Sequence, residues 1–321
     1  MKQLVFLLVL FAAIAIAPFV IESDFWLNAV IMTLYAALLG QSWNILGGYG
    51  GQFSFGHAAF FGTGAYTIAV LQVNFGINPW IGLVFGGALG ALVATIIGAL
   101  VFRYGLRGSY FALVTLAFAE VLRILSNTVD FTGAGVGILI PLDRTIANLQ
   151  FETKAGFFWL IWALALAVFL VVWWLGHSRF GARLMAVRDN EEAARALGVD
   201  AFRVKLGAMA LSGLFTGLAG CFYAQYFLYL DPGIAYGPAV SVESLLVPII
   251  GGMGTLFGPL LGAIALTGVA ELSREFFGDA QGISLVLYGL LLVLMVLFMP
   301  RGLAGLGRLS ARRLLARGAP S

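Results

Sequence analysis

Two long apolar stretches decide the class of fold. Residues 4–20 read LVFLLVLFAAIAIAPFV and residues 283–299 read ISLVLYGLLLVLMVLFM, and neither stretch contains a charged side chain. A helix needs about 20 apolar residues to cross the hydrocarbon core of a bilayer, so each stretch has the length of a membrane-spanning helix. An outer-membrane barrel would instead show strands of about 10 residues with alternating apolar and polar side chains. The two stretches therefore predict an all-α integral membrane protein, a polytopic helical bundle.

The composition of the whole chain supports this class. Of the 321 residues, 61% are hydrophobic and 10% are charged, whereas soluble domains carry about 25% charged residues. The 42 glycines fit closely packed membrane helices, because small residues let helix backbones approach each other. The single cysteine, Cys221, excludes a disulfide framework and a cysteine-rich metal site. We expect one transmembrane permease domain over 1–300 and a basic cytoplasmic tail over 301–321.

Apolar runs separated by polar, glycine or proline residues divide the chain into about ten transmembrane segments. The eighth segment is short and contains Glu243 and Pro248, so it is either a full span or a re-entrant half-helix. The first segment follows Lys2 as in a signal peptide, but the many later segments favour a retained membrane anchor. The predicted segments are 4–21, 25–46, 53–71, 77–102, 110–126, 157–175, 204–228, 240–250, 256–272 and 283–299.

The distribution of positive charge predicts the orientation of these segments, because Lys and Arg concentrate in the cytoplasmic loops of membrane proteins. With ten crossings and an inner N-terminus, all 18 Lys and Arg residues lie on the inner side except Arg123, Arg144, Lys154 and Arg274. The opposite orientation reverses that ratio. Both termini are therefore predicted to be cytoplasmic, and the loop 177–205 lies on the same side.

The loop 177–205 differs from the rest of the chain because it is polar and rich in charges of both signs. The residues after Asn190 have high helix propensity, Asn190 or the residue before it can cap the helix, and Gly198 marks its end. Glu191 and Glu192 fall in the first turn, where the helix dipole favours acidic side chains. The pattern predicts a helix of about two turns, either a solvated connector or a docking helix for a cytoplasmic partner.

Motifs in this loop and elsewhere resemble a known family. Glu192-Ala193-Ala194, followed after three residues by Gly198, resembles the cytoplasmic EAA loop of bacterial ABC importer permeases, which inserts into a groove on the ATPase subunit. Other blocks, in order and spacing, resemble the branched-chain amino acid permeases of the LivM type. They are NILGGYGGQFSFGHAAFFGTGAY at 44–66, LRGSYFALVTL at 106–116, RFGAR at 179–183 with RDNE at 188–191, and GGMGTLFGP at 251–259.

The resemblance implies an ABC importer permease architecture in the inner (plasma) membrane of a bacterium. It implies four kinds of partner: a second homologous permease subunit, two cytoplasmic ATPase subunits, an extracytoplasmic substrate-binding protein and membrane lipid. It also implies a transporter subunit rather than an enzyme, with no cofactor on this chain and with ATP and Mg²⁺ on the partner ATPases. The ATPase-coupling residues implied by the resemblance are Arg188, Asn190, Glu191, Glu192, Ala193, Ala194 and Gly198.

The sequence agrees with these implications in two respects. It contains no Gly-x-x-x-x-Gly-Lys-[Ser/Thr] phosphate loop, so ATP hydrolysis is expected on another chain. The basic residues of the tail 301–321 follow the last apolar segment, where membrane orientation and attraction to anionic lipid explain them. A nucleic-acid partner is therefore not predicted.

Polar residues within the membrane segments are candidates for the translocation pathway, because they are costly in lipid and often functional. Two segments interrupted by glycine, 47–64 and 243–259, resemble the broken helices of secondary transporters, while helix packing is the alternative explanation for their glycines. Interhelical hydrogen bonding is the alternative for the amides and the histidine, and an interfacial helix end is the alternative for the glutamate. The candidates are Gln41, Asn44, Gln52, Ser54, His57 and Glu243.

The predicted function is transport of branched-chain or related amino acids by a permease subunit of an ATP-driven importer. Related permeases with these sequence blocks import urea, short amides or aromatic acids, so a urea or amide permease is one alternative. A standalone secondary transporter or channel is another, and it would need its own coupling-ion site but no docking loop. The substrate is taken from the commonest role in the family, because the external binding protein supplies much of the selectivity in such systems.

Overall fold

A computed structural model of the chain describes residues 2–277 and, beyond them, positions 286, 289–290 and 302–303, with side chains described up to residue 271 and at those later positions. The regular secondary structure of the described part is helical apart from one short antiparallel strand pair. Its elements are α1 (Lys2–Ile14), α2 (Ala17–Val20), α3 (Asp24–Asn44), a π-helical turn (Ile45–Tyr49), α4 (His57–Phe75), α5 (Pro79–Arg103), α6 (Gly108–Thr128), β1 (Ile138–Leu139), α7 (Lys154–His177), α8 (Arg179–Asp189), α9 (Glu191–Ala196), α10 (Ala201–Phe227), β2 (Tyr229–Leu230), α11 (Pro232–Ala235), α12 (Pro238–Gly251) and α13 (Gly258–Phe277).

Within the described residues, eight helical stretches are long and apolar enough to cross a membrane. These stretches and α13 coincide with the first nine predicted segments, which confirms the all-α polytopic class. The tenth predicted segment, 283–299, and the basic tail lie outside the described residues except at the five later positions, so ten crossings and cytoplasmic termini stay predictions. The eight stretches are Lys2–Val20, Asp24–Tyr49, His57–Phe75, Pro79–Arg103, Gly108–Thr128, Lys154–His177, Ala201–Phe227 and Pro232–Gly251.

The eighth predicted segment is longer than the sequence indicated. Helix α12 begins at Pro238 rather than Val240, and with α11 it forms a candidate span of 20 residues, Pro232–Gly251. Proline opens both helices at the first position, where its missing N–H costs nothing and its fixed φ favours a helix. Pro248 lies inside α12. The length of this element therefore fits the first of the two alternatives, a full membrane span.

Close backbone contact between helices α4, α5 and α10 forms the centre of the bundle. A Cβ atom on Gly64 would lie 2.1 Å from the carbonyl oxygen of Gly217, and one on Gly86 would lie 2.2 Å from the Cys221 sulfur. Only glycine fits at these crossings, as in many membrane-helix interfaces. Cys221 is fully buried there and its thiol donates to the Gly64 carbonyl at 3.2 Å.

An irregular segment, residues 51–56, separates the end of α3 from the start of α4 at His57. Helix α4 therefore begins four residues after residue 53, where the third segment was predicted to start. Gly51 adopts a φ of 66°, which a side chain disfavours, and the Trp43 indole donates to the Ser54 carbonyl at 2.8 Å. The Trp43 side chain thus gives the Ser54 carbonyl the hydrogen bond that a continuous helix would provide and that lipid could not supply.

Interhelical contacts sort the loops into two ends of the bundle. At one end, Arg188 of α8 contacts Gly48 after α3, and Gly302 lies against the backbone of Gly252 after α12. At the other end, β1 from the α6–α7 loop pairs with β2 after α10. This separation agrees with the predicted alternation of inner and outer loops. We call the first the inner end and the second the outer end, following the charge-based prediction.

Candidate functional site

The α8–α9 segment, residues 179–198, occupies the inner end. Asn190 caps α9, because its Oδ1 accepts a hydrogen bond from the Ala193 N–H at 2.9 Å. The chain then turns at Gly198, whose φ of 84° is readily adopted only by glycine. The predicted helix, its cap and its stop are therefore confirmed.

The Glu191 carboxylate holds this segment on the bundle. Its side chain is 9% exposed and contacts Lys205 at 3.1 Å, Arg195 at 2.6 Å and Arg107 at 3.3 Å. Lys205, at the start of α10, is 2% exposed and lies 5.0 Å from the centre of the Phe102 ring. Glu191 therefore joins α9 to α10 and to the α5–α6 loop, and it faces the bundle rather than a partner.

The other residues of α9 divide between two faces. Ala194 is buried against Val187 at the base of the segment. Glu192 and Ala193 are exposed, and Leu197 is 87% exposed. The predicted coupling set therefore contains both inward anchors and an outward surface. The exposed Leu197 was not among the predicted coupling residues. Its sequence signal is a large apolar residue beside a helix-terminating glycine in a polar loop.

Arg188 connects the α8–α9 segment with the end of α3. Its Nη1 donates to the Gly48 carbonyl at 3.1 Å, and its guanidinium pairs with Asp189 at 2.9 Å. A Cβ atom on Gly51 would lie 2.5 Å from the Arg188 Cγ, so glycine leaves the room that the arginine stem occupies. A movement of α8 would therefore reach the π-helical turn directly.

Asn44 and Gln41 join the end of α3 to the turn between α12 and α13. The Asn44 side chain accepts from the Gly254 N–H at 2.8 Å and donates to the Thr255 carbonyl at 3.0 Å. Gln41 donates to the Leu256 carbonyl at 3.2 Å, and both amide side chains are fully buried. The two glycine-interrupted segments also meet directly, because a Cβ atom on Gly48 would lie 2.5 Å from the Gly254 nitrogen. We call this meeting of residues 41–56 with residues 252–257 the inner junction.

The remaining polar candidates of the α3–α4 region are held in separate hydrogen bonds. Gln52 is half-buried and bonds a neighbouring carbonyl at 3.2 Å, while the buried Ser54 hydroxyl accepts from a neighbouring N–H at 3.1 Å. The His57 Nε2 lies 2.8 Å from the Ser212 hydroxyl, which donates its single proton to the Ser42 carbonyl. His57 Nε2 is therefore the donor in this pair. All three residues fasten the irregular segment and the start of α4.

Glu243 lies apart from the inner junction. It is a half-buried residue of α12, the sixth of that helix, which runs from Pro238 to Gly251 at the inner end. The structure therefore does not bring Glu243 together with the five other pathway candidates.

A polar pocket opens at the outer end of the bundle. Its volume is about 550 Å³, which is within the range of small-molecule pockets. Charged residues of both signs line it, including Asp24, Arg144 and Lys154, together with the buried amide of Gln150. Lys154 donates to the Asp24 carbonyl at 3.0 Å. This end of the bundle therefore carries charged side chains of both signs.

Comparison with known proteins identifies related sequences. The family model described as branched-chain amino acid transport system / permease component matches residues 25–296. The high-affinity branched-chain amino acid transport system permease protein LivM of Escherichia coli K12 is 32% identical over 96% of this chain and 76% of its own length. The L-arabinose ABC transporter permease protein AraH of Azospirillum brasilense is 30% identical over 66% of this chain and 61% of that protein. LivH of Salmonella typhimurium is 23% identical over 87% of this chain and 94% of that protein. No solved structure matches the chain.

Proposed function

The chain belongs to the family of branched-chain amino acid transport system permease components, and from this premise we propose that it conducts branched-chain or related amino acids across the inner membrane of a bacterium. In this proposal it pairs with a second, homologous permease subunit. Two cytoplasmic ATPase subunits bind ATP and Mg²⁺, and an extracytoplasmic binding protein delivers the substrate to the outer end.

The observation that best supports this proposal is the two-faced α8–α9 segment. Its outward face presents Glu192, Ala193 and the 87% exposed Leu197, a small mixed surface that fits a groove on an ATPase subunit. Its inward face is fixed by Glu191 and Arg188. A force applied by the ATPase to the outer face would therefore move the segment as one body.

The inner junction is the part of the bundle that such a movement would reach. Arg188 bonds the π-helical turn, and Asn44 bonds the turn between α12 and α13. These are hydrogen bonds between side chains and irregular backbone, which water can replace more readily than the bonds of a continuous helix. In our proposal the junction is the inner gate, and it opens when ATP binding or hydrolysis displaces the α8–α9 segment.

The outer pocket fits the delivery step of this proposal. A binding protein that docks over Asp24, Arg144 and Lys154 would meet charges of both signs, which favour an oriented encounter through complementary charge. The short paired strands β1 and β2 order the loops beside it.

The substrate requires a direct test, because the relatives bear names for both amino acid and sugar transport. The chain, the second permease, the ATPases and the binding protein from one operon would be reconstituted in proteoliposomes, and ATP-driven uptake of labelled leucine would be measured. Competition by unlabelled valine, but not by arabinose, urea or acetamide, is expected. Leucine uptake by this chain alone, driven by an ion gradient and independent of ATP, would overturn the proposal in favour of a secondary transporter.

A further inference from the structure

Two acidic and two basic side chains line the outer pocket, the cavity of about 550 Å³ at the outer end. The ion pairs within the described part of the chain include none of these four residues. The Lys154 ammonium instead donates to the main-chain carbonyl of Asp24 at 3.0 Å. Charges of both signs therefore line one cavity without neutralising each other in contact pairs. The four residues are Asp24, Arg144, Glu152 and Lys154.

A buried amide at the same pocket has an unpaired oxygen. Gln225, near the end of α10, lines the cavity and is 1% exposed. Its Nε2 donates to the Gln72 Oε1 at 2.6 Å, whereas its own Oε1 has no hydrogen-bond partner among the described residues. Buried polar atoms are nearly always paired, so each exception calls for an explanation, such as a bound ion or water. The partner that this oxygen lacks is a hydrogen-bond donor, and an ammonium group is one.

Aromatic and aliphatic side chains form much of the remaining lining. The Phe157 ring, at the start of α7, packs edge-on against the Phe151 ring and the Tyr226 ring, each at 5.1 Å between centroids. All three rings line the pocket, as do Leu142 and Leu228. Apolar walls with a few convergent polar groups are typical of a small-molecule site. The cavity thus combines opposite charges with an apolar surface.

The loop that carries Arg144 is fixed by its own hydrogen bonds. The Gln150 Oε1 accepts from the Asp143 N–H at 2.7 Å, and its Nε2 donates to the Pro141 carbonyl at 2.9 Å. Gln150 is 1% exposed, and strand β1 before the loop pairs with β2. A site that is already formed binds with a smaller loss of conformational freedom. The outer pocket therefore has the order that a specific ligand requires.

We propose that the outer pocket binds a small zwitterion with an apolar side chain, the free amino acid that the importer carries. This inference rests on the proposed transport of amino acids. The Arg144 and Lys154 cations attract the α-carboxylate. The Asp24 and Glu152 carboxylates and the Gln225 Oε1 attract the α-ammonium group, and the aromatic walls suit the side chain. A sugar, urea or a neutral amide carries neither charge, so the site would favour amino acids within the permease itself.

Binding of labelled leucine tests the two charges separately. The assembled complex of both permeases and both ATPases would be used, with the binding protein and ATP left out. Unlabelled leucine should compete, whereas isopentylamine, which lacks the carboxylate, and 4-methylpentanoate, which lacks the ammonium group, should compete at least tenfold more weakly. Competition by either analogue as strong as that by leucine would overturn the inference, because one charge would then suffice. Absence of saturable leucine binding would overturn it as well.

Variants tie this binding to the outer pocket. Arg144→Gln and Asp24→Asn each remove one charge with little change in size, and each should weaken leucine binding at least fivefold. The matched controls are Arg103→Gln and Asp130→Asn, which change exposed residues outside the pocket and should bind leucine like the wild type. Co-purification of the ATPases verifies that each variant assembles. Wild-type leucine binding in both pocket variants would overturn the inference.

Uptake and capture of the binding protein separate the inference from the proposed function. Weaker capture of the binding protein by the Arg144→Gln complex, with unchanged leucine binding, would assign the charges to docking and overturn the inference. ATP-driven leucine uptake by a wild-type complex that binds no leucine without the binding protein would also overturn it and leave the proposed function standing. A wild-type importer that carries no amino acid would overturn the proposed function and this inference together.

Discussion

Glu191 and Glu243 are both withdrawn from bulk water, yet their surroundings differ completely. Glu191 lies at the inner end, where Lys205, Arg195 and Arg107 contact its carboxylate. Glu243 is a half-buried residue of α12, without an ion pair to another residue in the described part of the chain. The comparison teaches that a buried charge with a full set of partners holds helices together, whereas an unmatched carboxylate such as Glu243 makes no such link among the described residues.

The largest effect is expected from breaking the Glu191 cluster. Glu191→Ala leaves the 2% exposed Lys205 without its partner, and removing one member of a buried ion pair costs about 3–5 kcal/mol. We expect the variant in detergent to unfold at a clearly lower temperature than the wild type, as measured by differential scanning fluorimetry. The matched change at the other carboxylate, Glu243→Ala, should not lower the unfolding temperature comparably.

A double variant sharpens the same contrast. Replacing the pair together, as Glu191→Leu with Lys205→Met, removes both charges and should recover much of the lost stability. If the single Glu191→Ala protein unfolds at the wild-type temperature, the cluster does not hold α9, and the anchoring role assigned to Glu191 is wrong.

An intermediate effect is expected at the inner junction. Asn44→Ala removes the bonds of a fully buried side chain to the Gly254 N–H and the Thr255 carbonyl, and a buried polar group left unsatisfied costs about 1–3 kcal/mol. The unfolding temperature should fall, and the inner end should become more accessible to hydrogen exchange at residues 252–257. Gln52→Ala is the matched control, because its amide makes one local bond from a half-buried position. Equal hydrogen exchange in both variants would contradict the proposed gate.

A smaller effect on stability, but a clear one on coupling, is expected from Arg188→Lys. Lysine keeps the charge but cannot reproduce the guanidinium geometry that reaches the Gly48 carbonyl. The side chain is about a third exposed, so we expect a stability change of about 1 kcal/mol at most. Uptake per ATP hydrolysed should fall several-fold in proteoliposomes. Arg183→Lys, an exposed arginine of the same helix, should behave like the wild type, and an unchanged ratio in Arg188→Lys would exclude a role in transmission.

The class of fold followed from the sequence, because the length of the long apolar runs matches the thickness of the bilayer core. The capped helix after Asn190 was also predictable, since its signals are local: a cap, acidic residues in the first turn and a terminating glycine. The start of α4 was not, because the irregular segment 51–56 is held by a hydrogen bond from the Trp43 side chain of α3 to the Ser54 carbonyl. Apolar residues such as Phe53 and Phe55 extend the hydropathy pattern into a segment that is not helical.

The roles of individual polar residues were the hardest part to predict. Glu191 looked like a surface residue for docking, because the sequence does not reveal that Arg107 of the α5–α6 loop and Lys205 of α10 converge on it. The sequence alone allows Asn44 and Gln41 either to line a cavity or to bridge helices, and in the structure they donate to backbone carbonyls of the α12–α13 turn. Such pairings join residues more than 200 positions apart, and no periodicity encodes them.

The outward face of α9 gives the most direct test of the central claim that this chain couples transport to a cytoplasmic ATPase. Cys221 is fully buried, so a cysteine introduced by Leu197→Cys would be the reactive thiol, and Leu139→Cys at the outer end is the matched exposed control. The measurement is thiol-directed cross-linking in membranes that contain the complete complex. The account predicts a cross-link from position 197, but not from position 139, to an ATPase subunit, with a yield that changes when ATP is added. Absence of that cross-link in a complex that still imports leucine would contradict the account.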